Sequence, residues 1–535
     1  MTSGALEKLV EHWLTRTKER GYQLTYCQLL VNQGFEIIYI STHGPSELGK
    51  DIVALDKDGV PHAFQLKIDD ISLARWRREV WPEVEELLEL ELEHPRIRPG
   101  REHVSYLVTT GELSDPVVKN ITQRNKARRR KRQPLIRYFD RGYLLRAFTS
   151  AHQSVLPWQP ADYQRLFDLY VLGGNGPLNK EQFAAFLSSV LPFGSRPRFR
   201  RDVQQALSSA LILVNYALEP YRSARNHWAV ADAWTMTAAY VLAIAGKYGL
   251  APSVWEPTYQ LAINGCEGAL GNLRADVVTA RDSILPGLSD GEVYRERATL
   301  LIGYLGAYAL TYGTRGDDVH KAALAFFDEH KAELLLWGES AIPHWLMAYW
   351  LLVANVRSGE ADRFLESLIE QVLHWNRHGA PGLINPYYDV EAALRNDLNN
   401  RTQSLLFTRQ PIEESFSQFS YSLRSLVLLA TRRGLKQYLR RSWRDITHVF
   451  FMEFFPDPSW TGLLWRSERG EIGAIEPHHT QTWSALQEET IATTSGLAIY
   501  FVGRERLLLP FLLAYPHRVC PTLTLAADEA VEKLS

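Results

Sequence analysis

Residues Glu47–Lys67 read ELGKDIVALDKDGVPHAFQLK, and the pattern is that of a β-hairpin. Gly49 frees the chain to turn and Ile52–Leu55 is an apolar run. Asp56-Lys57-Asp58-Gly59 is a turn signal, and Ala63–Ile68 rises again as a second strand. Side chains alternate across a strand, so Gln65 and Lys67 share one face while Phe64, Leu66 and Ile68 share the other. Asp51 stands at the entrance of the first strand, where the hairpin can bring it near Gln65 and Lys67. A carboxylate, an amide oxygen and an ammonium at one sheet edge can hold a divalent cation with a lysine beside it. The same pattern also suits a hairpin whose polar face only meets water.

Outward from the hairpin, helical spacing covers residues 3–20 (Leu6, Leu9, Val10, Trp13, Leu14) and 22–33, with Gly34 as the expected C′ residue. Phe35–Ser41 predicts a strand. After the hairpin, a helix is expected from Ser72 to about Leu92, interrupted near Pro82. It begins basic (Arg75, Arg77, Arg78) and ends acidic (Glu83, Glu85, Glu86, Glu89). His103–Thr110 predicts a buried strand. A helix follows, with Asp115 as N-cap and Pro116 at its first position. Leu135–Tyr138 predicts a short strand and Gly142–Phe148 a short helix. This order is that of an α/β domain with a mixed central sheet flanked by helices.

Beyond residue 161 the strand signal nearly vanishes, and amphipathic helices are expected at 180–191, 199–217, 226–249, 294–313, 317–335, 339–357, 360–377, 411–432 and 434–454. The division read from this pattern is an α/β domain over 1–150, an α-helical domain over 161–380 and an α-helical C-terminal domain over 381–535. No fixed repeat period is present.

The 535 residues exceed one ordinary core, and 46% hydrophobic with 22% charged residues suits a globular protein. Net charge is −2, but residues 1–150 hold 24 Lys+Arg against 21 Asp+Glu. Cys27, Cys266 and Cys520 form no zinc spacing and no disulfide framework, which suits a cytoplasmic chain. The first twenty residues carry charges throughout, so no signal peptide is expected. Apolar segments at 298–312 and 342–354 are too short to cross a membrane, and 229–245 carries Asp232, so all three are expected to be core helices. There is no G-x-x-x-x-G-K-[ST], which excludes a P-loop. His478-His479 has no third partner at metal spacing and reads as surface.

Mg²⁺ takes a few carboxylate oxygens and keeps several waters. Asp51, the Gln65 amide oxygen and the Leu66 backbone carbonyl would form the protein's share of such a shell, for Mg²⁺ or Mn²⁺. A metal so held polarises a phosphodiester oxygen and lowers the pKa of a bound water. Lys67 can position that water or stabilise developing negative charge. The basic block Arg124, Lys126, Arg128, Arg129, Arg130, Lys131 and Arg132 can neutralise phosphates, and Arg75, Arg77 and Arg78 beside Trp76 offer a second patch. Either run also reads as a solvated helix end.

Strand–G-x-D–strand–Q-x-K, preceded by a helix ending in L-L-x-x-x-G-F, resembles the PD-(D/E)xK nuclease superfamily. Within it the pattern is most similar to the Mrr-type restriction-endonuclease-like domain, in which Q-x-K often replaces E-x-K. Leu29-Leu30, Gly34-Phe35, Gly49-Lys50-Asp51 and Gln65-Leu66-Lys67 carry the resemblance, with Tyr106–Thr110 and Leu135–Tyr138 on the later strands. It covers about the first 150 residues and nothing beyond. It implies a metal-dependent endonuclease acting on nucleic acid, DNA foremost, with Asp51, Gln65 and Lys67 as its catalytic residues. The family often has an acid on the first core helix. Here Gln23 stands at that place, and Glu19, one turn earlier, or Glu47 could substitute. A site lacking that acid would suit a catalytically inactive nucleic-acid binder instead.

Proteins that join such a nuclease to a helical module resemble prokaryotic restriction and anti-phage defence effectors. The likeness implies a helical region that regulates or targets the nuclease, through a protein partner or a homo-oligomer, away from membranes. A helical scaffold or sensor subunit of a defence complex is the other expectation for that region.

Overall fold

The computed structural model describes residues 10–11, 13–15, 17, 19–41, 50–92, 94–153, 169, 174–193, 200–285, 291–378, 382–388, 418–467, 469–492 and 497–534. The chain divides into two compact units. The first takes residues 1–174, 185–224 and 248–262; the second takes 175–184, 225–247 and 263–535. The first unit therefore reaches past residue 150. Trp13 shows why: its ring lies edge-on to Phe148 at 5.6 Å and to Tyr216 at 4.8 Å, so helix Arg200–Ala217 shares a core with the N-terminal residues.

The first unit is built on a five-stranded mixed sheet in the order β1 (Glu36–Ile40), β2 (Ile52–Leu55), β3 (Pro61–Lys67), β4 (Val104–Thr109), β5 (Ile136–Phe139). The first three strands are antiparallel neighbours, while β3, β4 and β5 run parallel. Helix α1 (Glu19–Asn32) precedes the sheet. Gly34, at φ +92°, ends it: Phe35 N–H bonds Leu30 C=O and Gly34 N–H bonds Val31 C=O, closing both orphan carbonyls. The β2–β3 turn is held by Asp56, whose Oδ1 accepts the N–H groups of Asp58 and Val60, with Gly59 at φ +70°.

The parallel step from β3 to β4 needs a crossover. It is supplied by α2 (Leu73–Arg75), a π-helical turn (Trp76–Val80) and α3 (Trp81–Glu89) in unbroken succession. The expected interruption near Pro82 takes the form of this π turn. Pro82 has no N–H and its ring would press on the carbonyl four residues back, and widening the preceding turn accommodates both. Helix α4 (Asp115–Arg130) lies between β4 and β5, and α5 (Arg141–Gln153) follows. The N-cap of α4 is Ser114, not Asp115; the Ser114 carbonyl already accepts from Val117 and Val118, so Asp115 and Pro116 sit inside the first turn.

Helices cover both faces of the sheet. On one, Leu107 and Ile136 pack with Ile71, Trp76, Val80, Val84, Leu88, Val117 and Ile121. On the other, Phe64, Tyr106 and Phe139 stack in sequence at 4.8 and 5.0 Å. Tyr26 of α1 and Tyr143 of α5 close that side.

The second unit is largely helical. Helix His227–Tyr248 is the one described helix long and apolar enough to cross a membrane, and its apolar window is 94% buried inside the protein, as a core helix would be. The region is not all-α, however. Phe419–Ser420 (β6), Phe450–Phe455 (β7) and Glu471–Ile475 (β8) form a three-stranded sheet. The helix expected over 434–454 ends at Ile446 and gives way to β7. The reason is local: FFMEFF is rich in aromatic residues, which lose rotamer freedom in a helix and pack well on a pleated surface. The helix expected over 411–432 spans Leu423–Arg432, and its first part, like most of the boundary expected near 381, falls outside the described residues.

Candidate active site

β3 has the residue pattern that the site requires. Its outward alternation places Phe64 in the aromatic stack under α1 and turns Gln65 and Lys67 toward the face covered by α3. The hairpin brings Asp51 alongside. The Asp51 carboxylate accepts the Leu66 N–H at 2.6 Å, and its own N–H bonds the Phe64 carbonyl at 3.0 Å. Asp51 and Gln65 are each only 4% exposed.

Glu83 completes the cluster. It lies in the first turn of α3, directly after the π turn. Gln65 Nε2 donates to Glu83 Oε2 at 2.9 Å, and Lys67 Nζ lies 2.6 Å from the same oxygen. The other Gln65 atom, Oε1, is buried and has no hydrogen-bond partner among the described residues. A buried amide oxygen left unpaired is costly, and a bound cation or its water shell would satisfy it.

The donor set consists of hard oxygens: the Asp51 and Glu83 carboxylates and Gln65 Oε1. That chemistry fits Mg²⁺ or Mn²⁺ and does not fit a soft metal. Among the described residues no three His, Cys, Asp or Glu side chains gather as a ligand group.

Gln23, at the place of the expected acid, does reach the site. Its Nε2 donates to the backbone carbonyls of Asp51 at 3.2 Å and Ser41 at 3.4 Å. It braces the start of β2 through an amide N–H, a role a carboxylate could not fill. Tyr22, its neighbour on α1, donates to the carbonyls of Lys67 and Val108 at 3.1 and 3.2 Å, tying the C-terminal ends of β3 and β4 together. Glu19 lies in the first turn of α1, and Glu47 lies outside the described residues.

The basic residues divide by their surroundings. Arg124 lies over the Trp81 ring at 3.6 Å and its Nε donates to Asn120, while Arg128 Nε donates to the Pro134 carbonyl. Both serve the packing of α4 against α3 and β5. Lys126, Arg129, Arg130, Lys131 and Arg132 are exposed. In the second patch, Arg75 donates to the Ile68 and Asp70 carbonyls, Arg78 pairs with Glu79, and Arg77 is exposed. Cys27 is buried on α1, and burial pushes its thiol well up, out of nucleophile range. His478 and His479 are exposed.

Glu83 is the residue that sequence reasoning missed as a site member. A signal was present. Val80, Val84, Leu87 and Leu88 mark the buried stripe of the helix, and Glu83 is three after Val80 and four before Leu87. Glu85 and Glu86 fall off that stripe and are exposed. No family model matches the chain, and neither a curated protein nor a solved structure matches it.

Proposed function

We propose that the chain is a metal-dependent nuclease of restriction-endonuclease-like fold, acting on DNA foremost. The observation that supports this most directly is the meeting of Gln65 and Lys67 on Glu83 beside the buried Asp51 carboxylate. The strand order and directions around it suit the resemblance carried by G-K-D and Q-L-K. In this reading Asp51, Glu83 and Gln65 Oε1 would hold Mg²⁺ or Mn²⁺, with the Leu66 carbonyl available to the same shell. The metal supplies Lewis-acid polarisation of a phosphodiester and an activated water. With a metal bound, Glu83 would be one of its holders, and the Lys67 ammonium, now 2.6 Å from Glu83 Oε2, would stand beside the negative charge that develops on phosphorus oxygens. Exposed Lys126, Arg129, Arg130, Lys131 and Arg132 hold the phosphate backbone of the substrate.

The second unit regulates or targets the nuclease, and a role in prokaryotic antiviral defence rests on the resemblance. A second reading, an inactive nucleic-acid binder, is favoured by Gln23, whose amide is committed to backbone carbonyls and supplies no second acid on α1.

Incubation of plasmid, linear DNA and RNA with the protein and Mg²⁺ or Mn²⁺, wild type beside Lys67→Ala and Asp51→Ala, separates these. Cleavage by wild type alone supports the nuclease. Retained binding without cleavage supports the second reading, and cleavage that survives both substitutions removes the proposed site.

A further inference from the structure

The helix Lys436–Ile446 (KQYLRRSWRDI) of the second unit has two unlike faces. Tyr438, Leu439 and Ile446 are buried. Lys436, Arg440, Arg441 and Arg444 are exposed. At 3.6 residues per turn these four fall within an arc of about 140°.

The arginines just ahead of the helix are matched by acids. Arg432 lies 3.0 Å from Asp528 and 2.6 Å from Glu532, and Arg433 lies 3.3 Å from Glu532. The four on the helix are not matched. None of them has an ion-pair partner among the described residues, and the helix's one acid, Asp445, lies 4.0 Å from Arg377 instead. Arg441 stands at one edge of the face, where it shares the surroundings of Tyr438 with Glu366 and Glu370 of helix Ser358–Trp375. Lys436, Arg440 and Arg444 lie on the other side of Arg441, spaced four residues apart. Each step rises about 6 Å along the helix, on the scale that separates successive phosphates of one nucleic-acid strand.

The opposite edge is aromatic. Trp443 Nε1 donates to the His478 carbonyl at 3.3 Å, and Lys436 Nζ lies 5.8 Å from the centre of the Trp483 ring. Both indoles are half-buried, and His448, His478 and His479 are exposed beside them. Unmatched cations in a row attract a polyanion, and the surroundings narrow its kind. A helix that lies in a membrane surface lowers its apolar face into the lipid. Here that face is already buried. An acidic peptide would use the charges and leave the indoles idle. Nucleic acid uses both, because phosphates meet Lys and Arg while bases stack on aromatic rings.

We propose that this face of the second unit binds a nucleic-acid strand, with Lys436, Arg440 and Arg444 on its phosphates and the Trp443 and Trp483 indoles beside its bases. The contact is separate from the basic residues of α4 in the first unit. It needs no metal, and it stands whether or not the chain cleaves nucleic acid.

Fluorescence anisotropy of labelled DNA and RNA oligonucleotides, with the full chain in EDTA at several salt concentrations, tests this. Arg440→Gln/Arg444→Gln removes two of the three phosphate contacts and keeps good helix formers on the surface. It should weaken binding by at least about tenfold near 0.1 M salt and lower the slope of log K against log salt by about 1.5. Circular dichroism should be unchanged. Should the double variant not fold, Lys436→Gln and Arg440→Gln taken singly decide, each lowering the slope by about 0.8. Undiminished affinity and slope in the folded variants would overturn this face, and so would an absence of binding by wild type. Tighter binding to polyglutamate or to phosphatidylserine vesicles than to oligonucleotide would overturn the nucleic-acid partner. Unaltered binding by the variants in a chain that still cleaves plasmid with Mg²⁺ removes this face and leaves the nuclease reading standing.

Discussion

Lys67 Nζ and Glu83 Oε2 lie 2.6 Å apart, joining the end of β3 to the first turn of α3. The pair is half in water: the lysine side chain is 14% exposed and the glutamate 39%. With the glutamate side open to water, such a pair contributes little to stability, about 1 kcal/mol. Its value lies in placement. The ammonium and the carboxylate are held at the mouth of a site whose other members, Asp51 and Gln65, are buried.

Lys67→Ala is therefore expected to leave the fold intact and to lower cleavage by at least about 10²-fold, the usual loss when one charge-stabilising donor is removed. Nucleic-acid binding should be retained. Circular dichroism, a binding titration and a cleavage time course on one preparation check the three statements. Cleavage within a few-fold of wild type would dismiss Lys67 as a catalytic residue.

Gln65→Glu tests the cation without relying on activity. The substitution sets a second carboxylate in the place from which Gln65 Nε2 now reaches Glu83 Oε2 at 2.9 Å. Like charges that close repel, and a divalent cation relieves the repulsion. The variant should have a lower Tm than wild type without metal and a larger Mg²⁺-induced rise in Tm. Glu83→Gln should do the reverse and blunt the Mg²⁺ response. An identical Mg²⁺ dependence in all three proteins would count against a metal at this site.

The hairpin and the strands around it were legible because local signals agreed: the Asp56–Gly59 turn, the alternation along β3 and the positive-φ Gly34. Gln65 and Lys67 could be placed on one face from that alternation, and Asp51 near them from the hairpin. Glu83 could not be placed so directly. Its arrival depends on a crossover of parallel strands and on a π turn ahead of Pro82, and both are properties of the folded packing. The sheet of β6, β7 and β8 was hidden for a similar reason. Phe450–Phe455 continues the apolar pattern of the helix before it, and only pairing with Glu471–Ile475 makes it a strand. The boundary of the first unit was hidden too, because the Trp13–Tyr216 contact spans two hundred residues of chain.

The basic residues of α4 should separate into two kinds of mutant. Arg124→Ala removes a guanidinium from 3.6 Å above Trp81 and should cost about 1–2 kcal/mol of stability. Arg129→Ala and Arg130→Ala remove exposed charges and should change stability by less than about 0.5 kcal/mol. Each of these two should lower the slope of log K against log salt for nucleic-acid binding by about 1. Urea unfolding and binding at several salt concentrations distinguish them. Unchanged salt slopes would move the nucleic-acid surface elsewhere.

Asp528 is expected to make the stability of the second unit depend on pH. It is fully buried; Oδ1 accepts from Trp350 Nε1 at 3.0 Å and Oδ2 lies 3.0 Å from Arg432 Nε. Burial, and then the nearby Glu532, push its carboxyl up to about 6 from the ordinary 3.8, against the pull of Arg432. The folded state thus takes up this proton before the unfolded state does as pH falls. Above pH 6 the ionised form is penalised in the folded protein, by on the order of 2–3 kcal/mol. The penalty fades as pH drops through 6 toward 4, and about half is relieved by pH 5. Asp528→Asn keeps the side-chain shape and cannot ionise, so it removes this pH dependence. Whatever the variant loses by leaving Arg432 without this partner, wild type should gain stability relative to it between pH 7.5 and pH 5. Urea unfolding of both proteins across that range measures the difference. A wild-type-minus-variant difference that stays flat with pH would show that Asp528 titrates at the same pH folded and unfolded.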